Sequence, residues 1–414
     1  MLEYVLWGTE EKKLREKYLR WDDMKICFLA PANNYHTKKW CKWFAENGHT
    51  VHVVSFIEDE IENVTVHYVN TGASANSGDA QKLRYLLKAR TVKRIVDEIN
   101  PDIVNVHYAT SYGTVAALSG LRGYILSVWG MDIYDFPQKS PLHRIMLKFS
   151  LNKASHIFST SKAMAEESRK YTNKKIDITP FGVDMELFNP NLKNREDSEF
   201  VVGTVKSLTP KYGIDYLIKA VASVKKERPD IPIKLRIAGK GEKEREYRQL
   251  AINEGINSFT EWLGFISQPE CAIEWANMDV AIVPSTLESE SFGVSAVEAE
   301  ACGTPVIITD IPGLMEATDP GKSSYVIRRC DVDELVKAII MFYEDREMRL
   351  SFGKEGRRFV KKLYEINYCF SKIEKLFECE VVFLPWDRSE IYGHSDGIVK
   401  PISGDSVLIT NYDD

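Results

Sequence analysis

Short apolar runs alternate with amphipathic segments of helical periodicity along most of the 414 residues. The runs KICFLAP (25–31), PDIVNVH (101–107) and DVAIVPS (279–285) are bounded by proline or polar residues, as buried parallel strands are. Segments between such runs, for example 36–48 and 213–227, carry apolar residues on one helical face. This alternation predicts an α/β fold with parallel sheets covered by helices on both faces, as in doubly wound Rossmann-like domains.

The alternation is interrupted by ITPFGVDMELFNP (178–190), which contains proline and glycine and few helix signals. We therefore predict two doubly wound domains, at 24–180 and 196–378, joined by a linker at 181–195. Ligands of open parallel sheets bind beyond the carboxyl ends of the strands. The cleft between the two domains is accordingly the predicted site.

Composition and the chain ends narrow the class of protein. Residues 1–23 are charged where a secretory signal would be apolar, and we interpret them as an N-terminal appendage of a cytoplasmic protein. No apolar run approaches the ~18 residues of a spanning helix.

The net charge of −6 argues against a nucleic-acid partner. Seven scattered cysteines without a Cys-x-x-Cys pair predict neither a disulfide framework nor a zinc site, and the pattern does not place the tail 379–414.

The segment PSTLESESFGVSAVEAEACGTPVI (284–307) carries glutamates around the start of a predicted helix. Glu288 and Glu290 lie in the loop after a strand, and Glu298 lies about two turns into the helix. The free N–H groups at the helix start suit a diphosphate, and the carboxylates suit sugar hydroxyls. Alternatively, the loop glutamates cap the helix and Glu298 lies on a solvated face. The spacing leaves both interpretations open.

The loop VGTVKSLTPKYGID (202–215) places Lys206 and Lys211 after a strand, and Gly213 opens the next helix. Two ammonium groups at the carboxyl end of a strand can neutralise a leaving diphosphate. Two solvated loop lysines explain the same pattern.

Residues 200–307 resemble the nucleotide-sugar domain of retaining glycosyltransferases of family 4, which have the GT-B fold. Lys206 and Lys211 stand where that family has an arginine and a lysine around the diphosphate. The other matching residues are Glu290, Ser291, Phe292, Gly293 and Glu298, then Ala301 to Val306, Gly239 to Gly241, and Leu263, Gly264 and Phe265.

The resemblance implies a role for each matching position. Glu290 is expected to meet the donor sugar, Glu298 the ribose, and the backbone at Gly264 and Phe265 the base. The donor-binding residues expected in this way are Glu298, Phe292, Gly293, Val294, Gly239, Gly264 and Phe265. The family mechanism needs neither a divalent metal nor another cofactor.

The first domain resembles the family more loosely. Pro31–Thr37 stands where many relatives have a glycine-rich loop, and relatives often have a histidine at the position of Trp129. Asp132 and His107 are the candidates to replace that histidine, although a histidine at a strand end is more often structural. The expected catalytic residues are thus Glu290, Lys206, Lys211, Asp132 and His107, and those on the acceptor side are His36, Tyr108 and Trp129.

The segment QKLRYLLKARTVKR (81–94) has basic residues on a predicted helix with an apolar side. We favour a helix that packs on the sheet with a solvated basic face. The alternative is a peripheral contact with anionic lipid at the inner membrane surface.

Together these features predict a retaining glycosyltransferase that moves a sugar from a nucleotide-diphosphate sugar to an acceptor hydroxyl. The acceptor would be a glycan, a lipid-linked sugar or a small molecule, in polysaccharide or glycoconjugate synthesis. A nucleotide-sugar epimerase of the same architecture and a non-catalytic sugar-nucleotide-binding subunit are the alternatives. A dinucleotide oxidoreductase is disfavoured because no G-x-G-x-x-G follows the first strand of either domain.

Overall fold

The computed structural model describes residues 23–72, 84–195 and 198–383. Nearly all of the appendage (1–22), the start of the basic segment (81–83) and most of the tail (384–414) therefore lie outside the described residues.

The first domain is built on a parallel sheet with seven strands among the residues described, in the order β3-β2-β1-β4-β5-β6-β7. Its strands are β1 (Lys25–Leu29), β2 (Thr50–Ser55), β3 (Thr65–Tyr68), β4 (Ile103–His107), β5 (Ile125–Val128), β6 (His156–Ser159) and β7 (Ile176–Ile178). Its helices are α1 (Tyr35–Glu46), α2 (Ala89–Ile99), α3 (Ser111–Ser119), α4 (Met131–Tyr134), α5 (Pro141–Lys153) and α6 (Lys162–Ser168).

The second domain repeats this plan with six parallel strands in its described part, in the order β10-β9-β8-β11-β12-β13. They are β8 (Phe200–Val205), β9 (Ile233–Ala238), β10 (Thr260–Gly264), β11 (Val280–Val283), β12 (Val306–Thr309) and β13 (Ser324–Ile327). The helices are α7 (Ile214–Glu227), α8 (Glu244–Asn253), α9 (Gln268–Ala276), α10 (Val294–Ala301), α11 (Pro312–Ala317), α12 (Val332–Glu344), α13 (Arg346–Leu363) and α14 (Ile366–Phe383).

Two parallel sheets with helices on both faces confirm the predicted fold class. Buried residues of α2, α3 and α5 form one core of the first domain, while α1 covers the opposite face of the sheet. Strands β7 and β13 were not predicted. Both are edge strands of three and four residues with partly exposed side chains, so neither produces a continuous apolar run.

Helix α14 corrects the sequence analysis, which assigned residues 366–378 to the second domain. Its buried side chains Phe370, Ile373 and Phe377 pack instead with Phe28 and Trp40 of the first domain. An apolar helical face predicts that a helix is buried but not which sheet it packs against. Here α14 packs against the sheet of the first domain.

The chain thus crosses between the domains twice, and the two crossings are hydrogen-bonded to each other. The N–H of Val183 donates to the carbonyl of Tyr364 at 2.7 Å, and the N–H of Ile366 donates to the carbonyl of Val183 at 2.9 Å. We call residues 181–184 and 364–366 the hinge.

Candidate active site

Lys206 and Glu290 meet at the carboxyl ends of two neighbouring strands. Lys206 directly follows β8, and Glu290 lies in the loop after β11, which pairs with β8. The Lys206 Nζ lies 2.9 Å from a Glu290 carboxylate oxygen, and the two side chains are only 9% and 7% exposed. The pair therefore joins two loops that are 84 positions apart in the sequence.

The ring of Tyr212 lies between the two lysines of the site. Its centroid is 4.7 Å from the Lys206 Nζ and 5.2 Å from the Lys211 Nζ. Burial acts to lower the pKa of Lys206, whereas the neighbouring Glu290 and Tyr212 act to raise it. Their effect is larger than that of burial, so the pKa of Lys206 lies above its ordinary value. For Lys211, whose Nζ donates to the Ser289 carbonyl at 2.8 Å, burial dominates and lowers the pKa.

Helix α10 begins next to this pair. Its N-cap is Gly293, with φ of 74°, where a β-carbon would lie 2.6 Å from the Leu314 side chain. The preceding Phe292 is buried, so the helix start at Val294 is fixed by packing on both sides of the turn. The first N–H groups of any α-helix have no intrahelical partner and carry a partial positive charge. The arrangement can therefore accept an anion beside Lys206.

Glu298 is buried inside the same helix, with 7% of its surface exposed. The Trp275 Nε1–H donates to its carboxylate at 3.4 Å. Burial raises the pKa of Glu298, and the charges of Lys39 and Lys206 and the Trp275 hydrogen bond oppose that rise. The interpretation of Glu298 as part of a solvated face is therefore wrong.

Glu288 points away from this centre. Its carboxylate faces the guanidinium of Arg329 at 3.4 Å, and its side chain is half exposed. Glu288 and Glu290, two residues apart in the loop, therefore have different environments.

The glycines of the resemblance shape the backbone behind Lys206. Gly239 has φ of 135° and packs so closely on the Lys206 carbonyl that a β-carbon would overlap it. Its N–H donates to the carbonyl of Gly264 at 2.6 Å. Gly264 has φ of 67°, and the following Phe265 is 77% exposed. The site thus has an exposed aromatic ring at the end of β10.

The first domain contributes an aromatic wall around Trp129. The Trp129 ring lies 4.8 Å from the Tyr108 ring, 5.3 Å from the Phe181 ring and 5.9 Å from the His36 ring. His36 stacks on Phe181 at 4.0 Å, and burial lowers the His36 pKa. The Tyr108 hydroxyl accepts from Asn34 Nδ2 at 3.3 Å. The three predicted acceptor-side residues are thus brought together.

Asp132 and His107 are both buried, and the proposal that one of them replaces the usual histidine stays a prediction. The Asp132 carboxylate accepts the backbone N–H groups of Ala109, Trp129 and Gly130 at 2.9 to 3.1 Å, so it joins two loops. His107 is fully buried under Trp129, with ring centroids 4.3 Å apart. Burial lowers its pKa to about 3, so it stays neutral.

The two domains touch directly at this site. The Ser161 hydroxyl donates to the Ser291 carbonyl at 2.6 Å, and the Ser291 hydroxyl donates to the Trp129 carbonyl at 3.3 Å. The Glu316 carboxylate accepts the backbone N–H groups of Lys162 and Ala163 at 2.7 and 2.9 Å. Sequence reasoning missed these contacts because serine and glutamate have no pattern that predicts a partner in another domain.

Neither a metal-binding cluster nor a membrane-spanning helix is found among the described residues. Among residues 23–72, 84–195 and 198–383, no three histidine, cysteine or carboxylate side chains are grouped as a metal would require. No helix in those ranges is long and apolar enough to cross a bilayer.

Two family models match the chain over separate ranges. A model of glycosyl transferase 4-like proteins matches residues 25–161, and a model of the glycosyl transferases group 1 matches residues 187–359. The chain belongs to the group 1 glycosyltransferases. This confirms the family resemblance drawn from the second domain and extends it to the first.

Relatives within the group 1 glycosyltransferases are of moderate identity. An uncharacterized glycosyltransferase of Methanocaldococcus jannaschii is 26% identical over 78% of this chain and 87% of its own length. A D-inositol 3-phosphate glycosyltransferase of Pseudarthrobacter chlorophenolicus is 34% identical over 61% of this chain. The match spans 65% of that relative, which is less than two thirds of its length.

Solved structures of low sequence identity share the fold. A sucrose-phosphate synthase from Thermosynechococcus elongatus covers 86% of this chain and 98% of its own, with a TM-score of 0.76 and 18% identity. HepE from Anabaena, solved in complex with UDP-glucose, covers 86% of this chain and all of its own, with a TM-score of 0.69 and 19% identity. These likenesses establish the GT-B architecture.

Proposed function

We propose that this glycosyltransferase uses a nucleotide-diphosphate sugar, retains the configuration of the transferred sugar and needs no divalent metal. The observation that carries the proposal is the buried Lys206–Glu290 pair beside the start of α10. A cation, a carboxylate and free helix N–H groups within one cleft suit a sugar joined to a diphosphate. The UDP-glucose complex of HepE, which has the same fold, supports this donor class.

Donor binding would rearrange the pair. The diphosphate then binds the Lys206 ammonium in place of Glu290. Lys211 and the free N–H groups at the start of α10 bind the diphosphate as well. Glu290 is then free to accept hydrogen bonds from hydroxyls of the donor sugar. Glu298 accepts those of the ribose, which its buried position inside α10 allows.

Transfer then proceeds on one face of the sugar. The bond between the anomeric carbon and the diphosphate oxygen breaks, and the acceptor oxygen bonds to that carbon from the same side. The acceptor proton passes to the departing phosphate oxygen, so the products are the glycoside and the nucleoside diphosphate. Lys206, Lys211 and the helix N-terminus stabilise the negative charge that grows on the leaving group.

The aromatic wall of the first domain would bound the acceptor side. His36 and Tyr108 both contact the Trp129 ring, and the Trp129 carbonyl accepts a hydrogen bond from Ser291, the residue after Glu290. Contacts of Ser291 with both Trp129 and Ser161 support a closed state that excludes water from the donor.

The test is a panel of UDP-, GDP- and ADP-sugars, each with and without glycan, glycoconjugate and small-molecule hydroxyl acceptors. We expect nucleotide release that requires an acceptor, a product with the donor's anomeric configuration by NMR, and full activity in a chelator. An inverted product or strict metal dependence would contradict the mechanism.

The same panel separates the alternatives. Isomerisation of the donor sugar without acceptor would indicate an epimerase. Nucleotide binding with no turnover on any donor would indicate a non-catalytic binding subunit.

A further inference from the structure

Lys39 of the first domain acts on Glu298 of the second. Its positive charge is the largest influence opposing burial at the Glu298 carboxyl, ahead of the Trp275 hydrogen bond and Lys206. In return, burial lowers the pKa of Lys39 while the charges of Glu298 and Asp184 support its ammonium. The two groups belong to α1 and α10, so the interaction crosses the domain boundary.

The same ammonium contacts the hinge. The Lys39 Nζ donates to the Gly182 carbonyl at 2.7 Å and lies 5.3 Å from the Tyr35 ring centroid. Gly182 has φ of 66°, and a β-carbon there would lie 3.1 Å from the backbone of Ile366 in the second crossing. Lys39 therefore joins α1 to the first of the two paired crossings.

We propose that Lys39 is a positioning residue for donor binding, because its ammonium joins α1 to the hinge at Gly182, where the chain crosses between the two sides of the donor cleft. The inference rests on the proposed function, in which Glu298 accepts the ribose hydroxyls.

The experiment measures binding of UDP, ADP and GDP by calorimetry to wild type, Lys39→Met, Lys39→Arg and Lys38→Met. Lys38 is the matched control because it lies on the same helix and pairs with Asp59 at 2.8 Å, away from the hinge. We expect Lys39→Met to weaken binding of the preferred nucleotide about tenfold, Lys39→Arg to restore most of it, and Lys38→Met to bind as wild type.

A double-mutant cycle with Glu298→Gln tests the route of the effect. If Lys39 acts through Glu298, Lys39→Met has little further effect in the Glu298→Gln background. Additive losses, or a folded Lys39→Met that binds as tightly as wild type, would overturn the inference. Failure of folded wild type to bind any of the three nucleotides would overturn the proposed function instead.

The outer face of α5 is a separate feature that the donor site does not use. Leu142 and Ile145 are each 63% exposed, and Leu118 of the neighbouring α3 is 51% exposed. Phe149 lies on the same side of α5, with the Lys153 Nζ 5.9 Å from its ring centroid. The result is a stripe of large apolar side chains in contact with solvent.

Basic residues flank this stripe. Arg144, Lys148 and Lys153 are exposed along α5, and the sequence PLHRIMLKFSLNK contains no acidic residue. The combination matches an interfacial helix at a surface of anionic lipid. In the segment 81–94, Tyr85 and Val92 are buried in the core, while Leu87 is 81% exposed.

We infer that the outer face of α5 docks on membranes containing anionic lipid. Sedimentation with phosphatidylcholine vesicles, with and without about one third phosphatidylglycerol, tests this for the whole chain. We expect binding only to the anionic vesicles, a fall of about 25-fold for Arg144→Gln/Lys148→Gln, and near wild-type binding for the matched pair Arg90→Gln/Arg94→Gln.

Leu142→Ser/Ile145→Ser is expected to lose vesicle binding while keeping the wild-type melting temperature. Equal losses in the two charge variants, or no binding of wild type, would overturn the inference. A dimer in light scattering that this apolar variant abolishes, without vesicle binding, would assign the face to a second copy of the chain and equally overturn it.

Discussion

Gly239 and Lys206 are in direct backbone contact, because the β-carbon that any other residue would have at 239 overlaps the Lys206 carbonyl. The N–H of Lys206 in turn donates to the carbonyl of Ala238 at 2.9 Å. The direction of the Lys206 side chain toward Glu290 thus depends on a neighbouring residue that has no side chain of its own.

Gly239→Ala should therefore destabilise the protein by about 2–5 kcal/mol, since overlap and backbone strain add. Gly255→Ala is the control, because Gly255 also has positive φ but has open space around it. Chemical denaturation of both variants measures the difference. Equal losses of unfolding free energy would mean that the contact with Lys206 has no special cost.

Glu290→Gln should lower kcat about 10- to 100-fold, because it removes the charge that would accept the sugar hydroxyls while keeping the size of the side chain. Glu288→Gln should be mild, because Glu288 faces Arg329 outside the cleft. Steady-state kinetics with the preferred donor and calorimetry with free nucleotide separate the two effects. Similar kinetic damage in both variants would mean that the wrong glutamate is assigned to the donor sugar.

Lys206→Met should cost about 3–5 kcal/mol of unfolding free energy, since it leaves the Glu290 carboxylate buried without its cation. The double variant Lys206→Met/Glu290→Gln should recover much of that loss and remain inactive. Denaturation midpoints and turnover assays provide both readouts. A double variant less stable than the single one would contradict the pairing.

Glu300→Gln should raise the melting temperature at about pH 8 and do so less at about pH 5. Glu300 is fully buried on α10, accepts a hydrogen bond from Ser323 at 2.6 Å, and burial raises its pKa to about 8. A carboxyl that keeps its proton in the folded state stabilises the fold at low pH, and this contribution is lost as the pH rises toward the folded pKa.

Calorimetric scans of wild type and Glu300→Gln across this range check the sign. A stability difference that does not grow with pH would show that the Glu300 carboxyl is not held protonated by the fold.

Asp132→Asn should lower stability by about 1–3 kcal/mol, because the amide nitrogen cannot accept the backbone N–H bonds that the carboxylate accepts. The pH dependence of kcat should keep its wild-type shape, since the carboxylate is occupied by Ala109, Trp129 and Gly130. Loss of one limb of the pH profile in a folded variant would return Asp132 to a catalytic role.

The sequence predicted the fold well because buried parallel strands are mostly apolar, and β1, β4 and β11 all have such runs. It also predicted a group of glutamates around α10, although only the family resemblance, and not the spacing, favoured a ligand site over a solvated face. It could not show that Asp132 binds the backbone, since the three N–H groups that donate to its carboxylate are scattered over two loops. Nor could it find the hydrogen bond from Lys39 to the Gly182 carbonyl, because a contact between residues 143 positions apart has no sequence period.

Helix α14 has a consequence for the order in which this chain can fold during synthesis. The apolar surface around Phe28, Trp40 and Phe44 stays uncovered until Phe370 and Phe377 have left the ribosome. Roughly 200 residues separate the end of the first domain's own sheet from that helix. At a synthesis rate of about 5–20 residues per second, this separation corresponds to about 10–40 s. The nascent first domain must therefore wait, incomplete, for the whole second domain to be made.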